Sequence, residues 1–411
     1  MVTTPETPVP ASPTYPIERR CPFEPPADLA RLRDTGPVPA RLPSGQDAWL
    51  VARHADVRAV LGDGRRFSSD RGHPAFPRPF AEAPTQPIRP LSMIGMDGAE
   101  HTAARRLVVG EFTVRRAEAM RPRIQQIVDE RIDAMLAAGG PVDLVEMLSL
   151  PVPSLVICEL LGVPYADHDF FQRRSGMLLR RDVGGAARST AMDELMSYLD
   201  GMIAAWEQDP GDDLIGRQIV RRREAGRYER DELVSLAALL LIAGHETTAN
   251  MISLGILALL EHPDEAVALR ADPSRTPLAV EEMLRYFTIV DSVTSRVTTE
   301  AVEIGERRIG PGEGVVALGL SANHDPASFE HPDELDLDRG ARHHVAFGFG
   351  PHQCLGQNLA RVELAVVFDT VLRRIPGLRL AGAVDELPYK DDASIYGIYR
   401  MPVEWAEPGC E

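Results

Sequence analysis

Apolar residues recur at helical spacing along most of this chain, and prolines and glycines divide the pattern into pieces. Residues 115–138 predict one long helix. Residues 143–162 predict a second, broken up by Pro151, Pro153 and Pro164. Residues 165–205 predict two more, with a turn at Gly184-Gly185. The longest apolar run covers 231–261; Asp231 is placed to cap its start, and His262-Pro263 ends it. A short helix runs from His54 to Leu61, stopped by Gly62-Asp63-Gly64, and another begins after Cys354. Extended structure is expected at Ala48-Trp49-Leu50-Val51-Ala52 and, from its Val, Ile and Thr content, over 286–296. The pattern therefore predicts a mainly α protein with a small β-rich region.

A chain of 411 residues could hold two or three domains, but no Gly/Ser linker or repeat divides it. We expect one large domain over 17–411 behind a disordered tail, 1–16, rich in Thr, Pro and Ser. The tail lacks the basic start and apolar core of a signal peptide. The run 231–261 is long enough to span a bilayer. However, Gly244 to Asn250 place a polar cluster at its middle that lipid would penalise, so a buried helix without a membrane role is expected. Cys21, Cys158, Cys354 and Cys410 form no disulfide framework, which points to a reducing, cytoplasmic setting. The net charge of −17 argues against a general nucleic-acid binder. Positive charge is almost all arginine, as in GC-rich genomes, and Lys390 is the only lysine. Pro74, Pro77, Pro79, Pro84, Pro87 and Pro90 make 73–96 a long loop, with Phe76, Phe80, Met93 and Ile94 as candidate apolar contacts.

The chemistry concentrates around Cys354. No CxxC pair accompanies it, and His352 two residues away does not complete a zinc site. A thiolate needs donors and positive potential, and the helix that starts after Cys354 offers its first amides and its dipole. Gly348, Gly350 and Gly356 let a cofactor approach the backbone, and Phe347 offers an aromatic face. The frame suits one thiolate presented to one large flat cofactor.

Phe347-x-x-Gly350-x-His352-x-Cys354-x-Gly356 resembles the haem-binding signature of the cytochrome P450 family. The resemblance implies a single P450-type domain holding haem b between the long distal helix and the cysteine-bearing proximal helix. Cys354 would be the axial ligand of the iron, with Phe347, Gly348 and Gly356 around it. His101 and Arg105, four apart on one helix face, resemble the family's HxxxR pair that binds a haem propionate; Arg106 points off that face. Arg296 and His344 resemble two further propionate partners. Ala243-Gly244-His245-Glu246-Thr247-Thr248 resembles the distal oxygen-binding segment. There Ala243 and Gly244 would border the haem and Gly244 would make room for oxygen. Glu246 and Thr247 would form a short proton relay. Back-bonding of threonine to the i−4 carbonyl is compatible with that role. Glu282 and Arg285 resemble the ExxR pair, with Arg339 as a third partner. Met93, Ile94, Leu178, Leu179, Ile289, Val290, Val293 and Ile395 would contact substrate, the two leucines from a mobile lid. His352 and neighbouring arginines would face a redox partner.

The reading is a monomeric haem-thiolate monooxygenase that hydroxylates or epoxidises a bulky apolar molecule with O2. The resemblance points to a macrolide, other polyketide, terpenoid or xenobiotic. With no flavin, iron–sulfur or dinucleotide motif in the chain, electrons would come from a ferredoxin and its reductase. A peroxide-using or rearranging enzyme of the same fold is the second reading, and a non-catalytic haem sensor the third. The Glu246-Thr247 pair counts against both.

Overall fold

The protein is described from a computed structural model covering residues 13–82, 92–291 and 294–405. Its axis is the 32-residue helix Arg230–Glu261. This helix is apolar nearly all round, which suits one that other helices surround. Pro151–Leu161, Gly185–Trp206, Thr276–Phe287 and Gln357–Arg374 all pack against it. Gly255 sets the spacing to Gln357–Arg374, because a Cβ there would lie 2.3 Å from the Phe368 ring. The expected cap is corrected. Glu229 precedes the helix, and Asp231 sits in its first turn, where it still favours the helix dipole. At the other end the His262 amide donates to the Ala258 carbonyl, and Pro263 begins the next helix.

The remaining helices follow the sequence pattern. They include His54–Gly62, Gly98–Val108, Val114–Ala138 and the pair His168–Leu179 and Gly185–Trp206. Residues 145–149 form a wide turn before Pro151 takes the first position of its helix. A five-stranded sheet lies beside the helices in the order Val38–Arg41, Asp47–Val51, Gly314–Ala317, Ser295–Thr298, Phe67–Ser68. Only the pair Asp47–Val51 and Gly314–Ala317 is parallel.

Two boundaries differ from expectation. Residues 286–296 are not continuously extended. Tyr286 and Phe287 complete the buried face of their helix, Thr288 ends it at φ +36°, and the strand starts at Ser295. Packing also begins before residue 17. Thr14 bridges to Arg41, and Tyr15 is buried with its hydroxyl donating to the Asp291 carbonyl at 3.2 Å. Val293 and Cys410, and the rest of the expected tail, lie outside the described residues.

Candidate active site

A cavity of about 320 Å³ opens between the middle of Arg230–Glu261 and the loop that carries Cys354. The loop is closed by the Cys354 amide donating to the Phe347 carbonyl at 2.8 Å. Gly348 and Gly350 have φ of +69° and +72°, which a side chain would strain. A Cβ on Gly350 would lie 2.6 Å from the Leu61 carbonyl oxygen, so this glycine lets the loop rest on the helix His54–Gly62. Phe347, Gly348, Cys354 and Gly356 all line the cavity. Burial pushes the Cys354 thiol up, against the amides of Gly356 and Gln357 and the charges of Arg105 and Arg361. Such a sulfur loses its proton outright when a metal cation takes it.

One wall of the cavity is basic. His101 and Arg105 both reach it from Gly98–Val108, while Arg106 is exposed. His101 Nε2 is buried without a hydrogen-bond partner, and Arg105 donates to the Gln353 carbonyl at 2.6 Å. Burial, with His352 and Arg105 nearby, lowers the His101 pKa to about 4. Arg296 enters from its strand, bonded among the described residues only to its neighbour's carbonyl, and burial lowers it to about 10. Buried donors left short of acceptors at a cavity edge fit a cofactor that brings carboxylates. Together with the thiol, they fit haem.

The histidines of the cysteine motif exchange their expected places. His344 does not line the cavity; its Nε2 donates to Glu281 Oε2 at 3.1 Å. Glu281 also takes Arg361, and although burial raises its pKa, these two partners bring it to about 2. That anion draws His344 toward the helix Thr276–Phe287. His352, expected on a docking face, lines the cavity instead and lies against His101, the two rings tilted with centroids 4.0 Å apart.

On the distal side Ala243, Gly244, Thr247 and Thr248 line the cavity. Thr247 Oγ1 donates back to the Ala243 carbonyl at 2.7 Å. The Cβ that Gly244 lacks would stand 2.9 Å from Ile157, so the glycine admits that neighbouring helix rather than oxygen alone. Glu246 is not on the wall. Its carboxylate pairs at 3.1 Å with the Nζ of Lys390, which comes from the C-terminal loop. Burial raises the Glu246 pKa, but Lys390, His245 and Asn250 more than offset this and hold it below the usual carboxylate range. His245 turns the other way, with Nδ1 on the Leu241 carbonyl and Nε2 at 3.0 Å from Ser175 of the helix His168–Leu179.

The Glu246–Lys390 pair predicts a pH-dependent effect of Lys390→Met. A carboxylate whose pKa is depressed on folding stabilises above its unfolded value of 4.5, and that term is lost as pH falls through the folded pKa. The stability gap between wild type and variant should be widest at pH 7 and shrink below 4.5, as measured by urea midpoints across pH.

Met93, Ile94, Ile289 and Val290 line the cavity as expected. Leu178, Leu179 and Ile395 do not. The leucines are half-buried against the core, and the Leu179 carbonyl accepts from the Ser394 amide at 2.8 Å. Ile395 is core, bridged to Val290. Phe80 lies outside the cavity lining, beneath the Arg188 guanidinium. Phe76, Phe349 and Arg71 join the lining, and the sequence had marked only Phe76.

Behind the cysteine loop, Arg285 grips both oxygens of Glu282 at 2.7 and 2.8 Å, and both side chains are fully buried. Arg285 also donates to the carbonyls of Asn323, Pro332 and Glu334, and Arg339 completes the network on Glu282 at 3.0 Å.

Comparison with known proteins agrees with this geometry. The family model "Cytochrome P450" matches residues 196–375. Pentalenic acid synthase of Streptomyces avermitilis is 48% identical over 405 residues, 98% of this chain and 100% of the relative. Vitamin D3 dihydroxylase of Streptomyces griseolus is 46% identical over 98% of this chain and 99% of its own. The crystal structure of cytochrome P450 MoxA from Nonomuraea recticatena, a CYP105 protein, superposes with a TM-score of 0.88 at 58% identity, covering 96% of this chain and 99% of that one. The chain belongs to the cytochrome P450 family, and it is an oxidoreductase of the haem-thiolate monooxygenase class. Bacterial members use redox partners and O2 on small-molecule substrates.

Proposed function

We propose that the protein inserts one oxygen atom of O2 into a bulky apolar small molecule, with Cys354 as the thiolate ligand of haem b. The observation that carries this reading is the Cys354 thiol facing a cavity whose edge holds the unpaired His101 Nε2. Bound there, haem would supply the activation of dioxygen. His101, Arg105, Arg296 and His352 would hold its two propionates. Phe347, Gly348 and Gly356 would border the ring below, and Ala243 and Gly244 above. Thr247 would turn its hydroxyl from the Ala243 carbonyl to hold a water at the reacting oxygen, and Glu246, once released by Lys390, would pass it a proton. Met93, Ile94, Ile289 and Val290 would position substrate; the apolar majority of the lining suits such molecules. The relatives' names include pentalenic acid synthase, vitamin D3 dihydroxylase and mycinamicin VIII C21 methyl hydroxylase, which supports macrolide, terpenoid or xenobiotic substrates.

Electrons would come from a ferredoxin and its reductase in the cytoplasm. The exposed Arg115 and Arg116 offer that partner a surface, next to the point where Asn358 of the cysteine helix donates to the Phe112 carbonyl at 2.9 Å. One observation favours a peroxide-using enzyme: Glu246 is held on Lys390 away from the cavity. Hydrogen peroxide alone, without ferredoxin, should then sustain full turnover; the relay reading expects it not to.

The test is the absorption spectrum of the dithionite-reduced protein with carbon monoxide. A strongly red-shifted Soret band is expected, and a band in the position of histidine-ligated haem would exclude the thiolate. Thr247→Ala should keep that band but divert most reducing equivalents to peroxide, read as product formed per NADPH consumed. Unchanged coupling would remove Thr247 from the relay.

A further inference from the structure

The cavity holds a cation beyond the groups assigned to haem. His101, Arg105, Arg296 and His352 supply four basic groups for two propionates. Arg71, which follows the strand Phe67–Ser68, also lines the cavity. Among the described residues no hydrogen bond or ion pair reaches its guanidinium, and the Phe76 ring lies 5.8 Å away. The carboxylates near it in sequence are all engaged. Asp70 accepts from the Gly72 amide, Asp97 from Ser68 and Ser69, and Glu82 from the Gly185 amide. Residues 83–91 contain no Asp or Glu. Among the described residues the one carboxyl on the cavity wall is Glu363, whose pKa burial raises well above the usual carboxylate range. Arg296 nearby carries the same charge and opposes Arg71. Burial lowers the Arg71 pKa without a compensating anion.

A guanidinium left without an anion in a mostly apolar cavity is costly unless a ligand brings one. We propose that Arg71 is a specificity residue that binds a carboxylate on the substrate, so that the enzyme selects apolar molecules bearing a free carboxylic acid. This rests on the haem-thiolate reading above. The planar fork of arginine suits a bidentate carboxylate, and an ester or amide of the same skeleton would leave the charge unpaired.

The experiment uses the haem-loaded protein, first checked for the red-shifted carbon monoxide band. Failure there sinks the family reading and is seen before the proposal is reached. Abietic acid and methyl abietate, which share one tricyclic skeleton, are then titrated against the ferric spin-state change. We expect the acid to bind about tenfold more tightly than the ester, as a lost charge-assisted contact implies. Arg71→Gln should abolish the preference by weakening the acid alone, and Arg71→Lys should keep part of it. An ester that binds as well as the acid, or a pair of which neither shifts the spectrum, overturns the proposal. So does an unchanged preference in Arg71→Gln. Faster loss of haem from Arg71→Gln to apomyoglobin would mark Arg71 as a propionate partner and also overturn it.

Discussion

Cys354→Ala should fold yet show no strongly red-shifted Soret band when reduced under carbon monoxide, and monooxygenase turnover should fall to background. The loop keeps its shape without the sulfur, because it is held by the Cys354 amide on the Phe347 carbonyl and by the positive φ of Gly348 and Gly350. Among the described residues no second thiol replaces it. Cys158 is buried in the core, and burial raises its thiol to about 12; Cys21 lies outside the cavity lining. A variant that retained the shifted band would place the ligand elsewhere and withdraw the assignment of the whole site.

Arg285→Ala is expected to be the most destabilising single change in the chain. It strands the Glu282 carboxylate in a fully buried position and leaves the carbonyls of Asn323, Pro332 and Glu334 without this donor. Breaking a buried pair by removing one partner costs about 3–5 kcal/mol. Typical domains have only about 5–15 kcal/mol in total. Most of the variant should therefore be recovered unfolded or aggregated, and any soluble fraction should unfold at a much lower urea concentration. Arg339 still reaches Glu282, so a loss below about 1 kcal/mol would mean that Arg339 carries the compensation. The network supports the segment before the cysteine loop, since Asn323 Oδ1 accepts the Val345 amide at 2.8 Å.

What was legible in the sequence follows from what local pattern encodes. The axial helix declares itself because burial on all sides demands an apolar run, and His101 and Arg105 because four residues return a helix to the same face. Glu282 and Arg285 are close for the same reason, and the order of motifs pointed to Arg339. His344 and His352 were exchanged because their directions depend on the left-handed turns at Gly348 and Gly350 and on Glu281, far away in sequence. Leu178, Leu179 and Ile395 read as cavity residues because apolar identity does not distinguish a core from a pocket wall. Arg71 carries no motif at all; only its lack of a partner in three dimensions marks it. The Glu246–Lys390 pair joins residues 144 apart, and its only trace in the sequence was a single lysine among many arginines.

That lysine has a practical consequence. Acylating reagents that attack side-chain amines have one target in this sequence, and in the folded protein that amine is ion-paired and largely shielded. Its loop is stitched to the chain just after the helix His168–Leu179, with the Arg181 amide on the Asp392 carbonyl at 2.7 Å. Acylation at Lys390, followed by mass spectrometry of one peptide, would therefore time how often the loop lifts away from the axial helix. The protein carries its own footprinting label, with no second lysine to blur the signal.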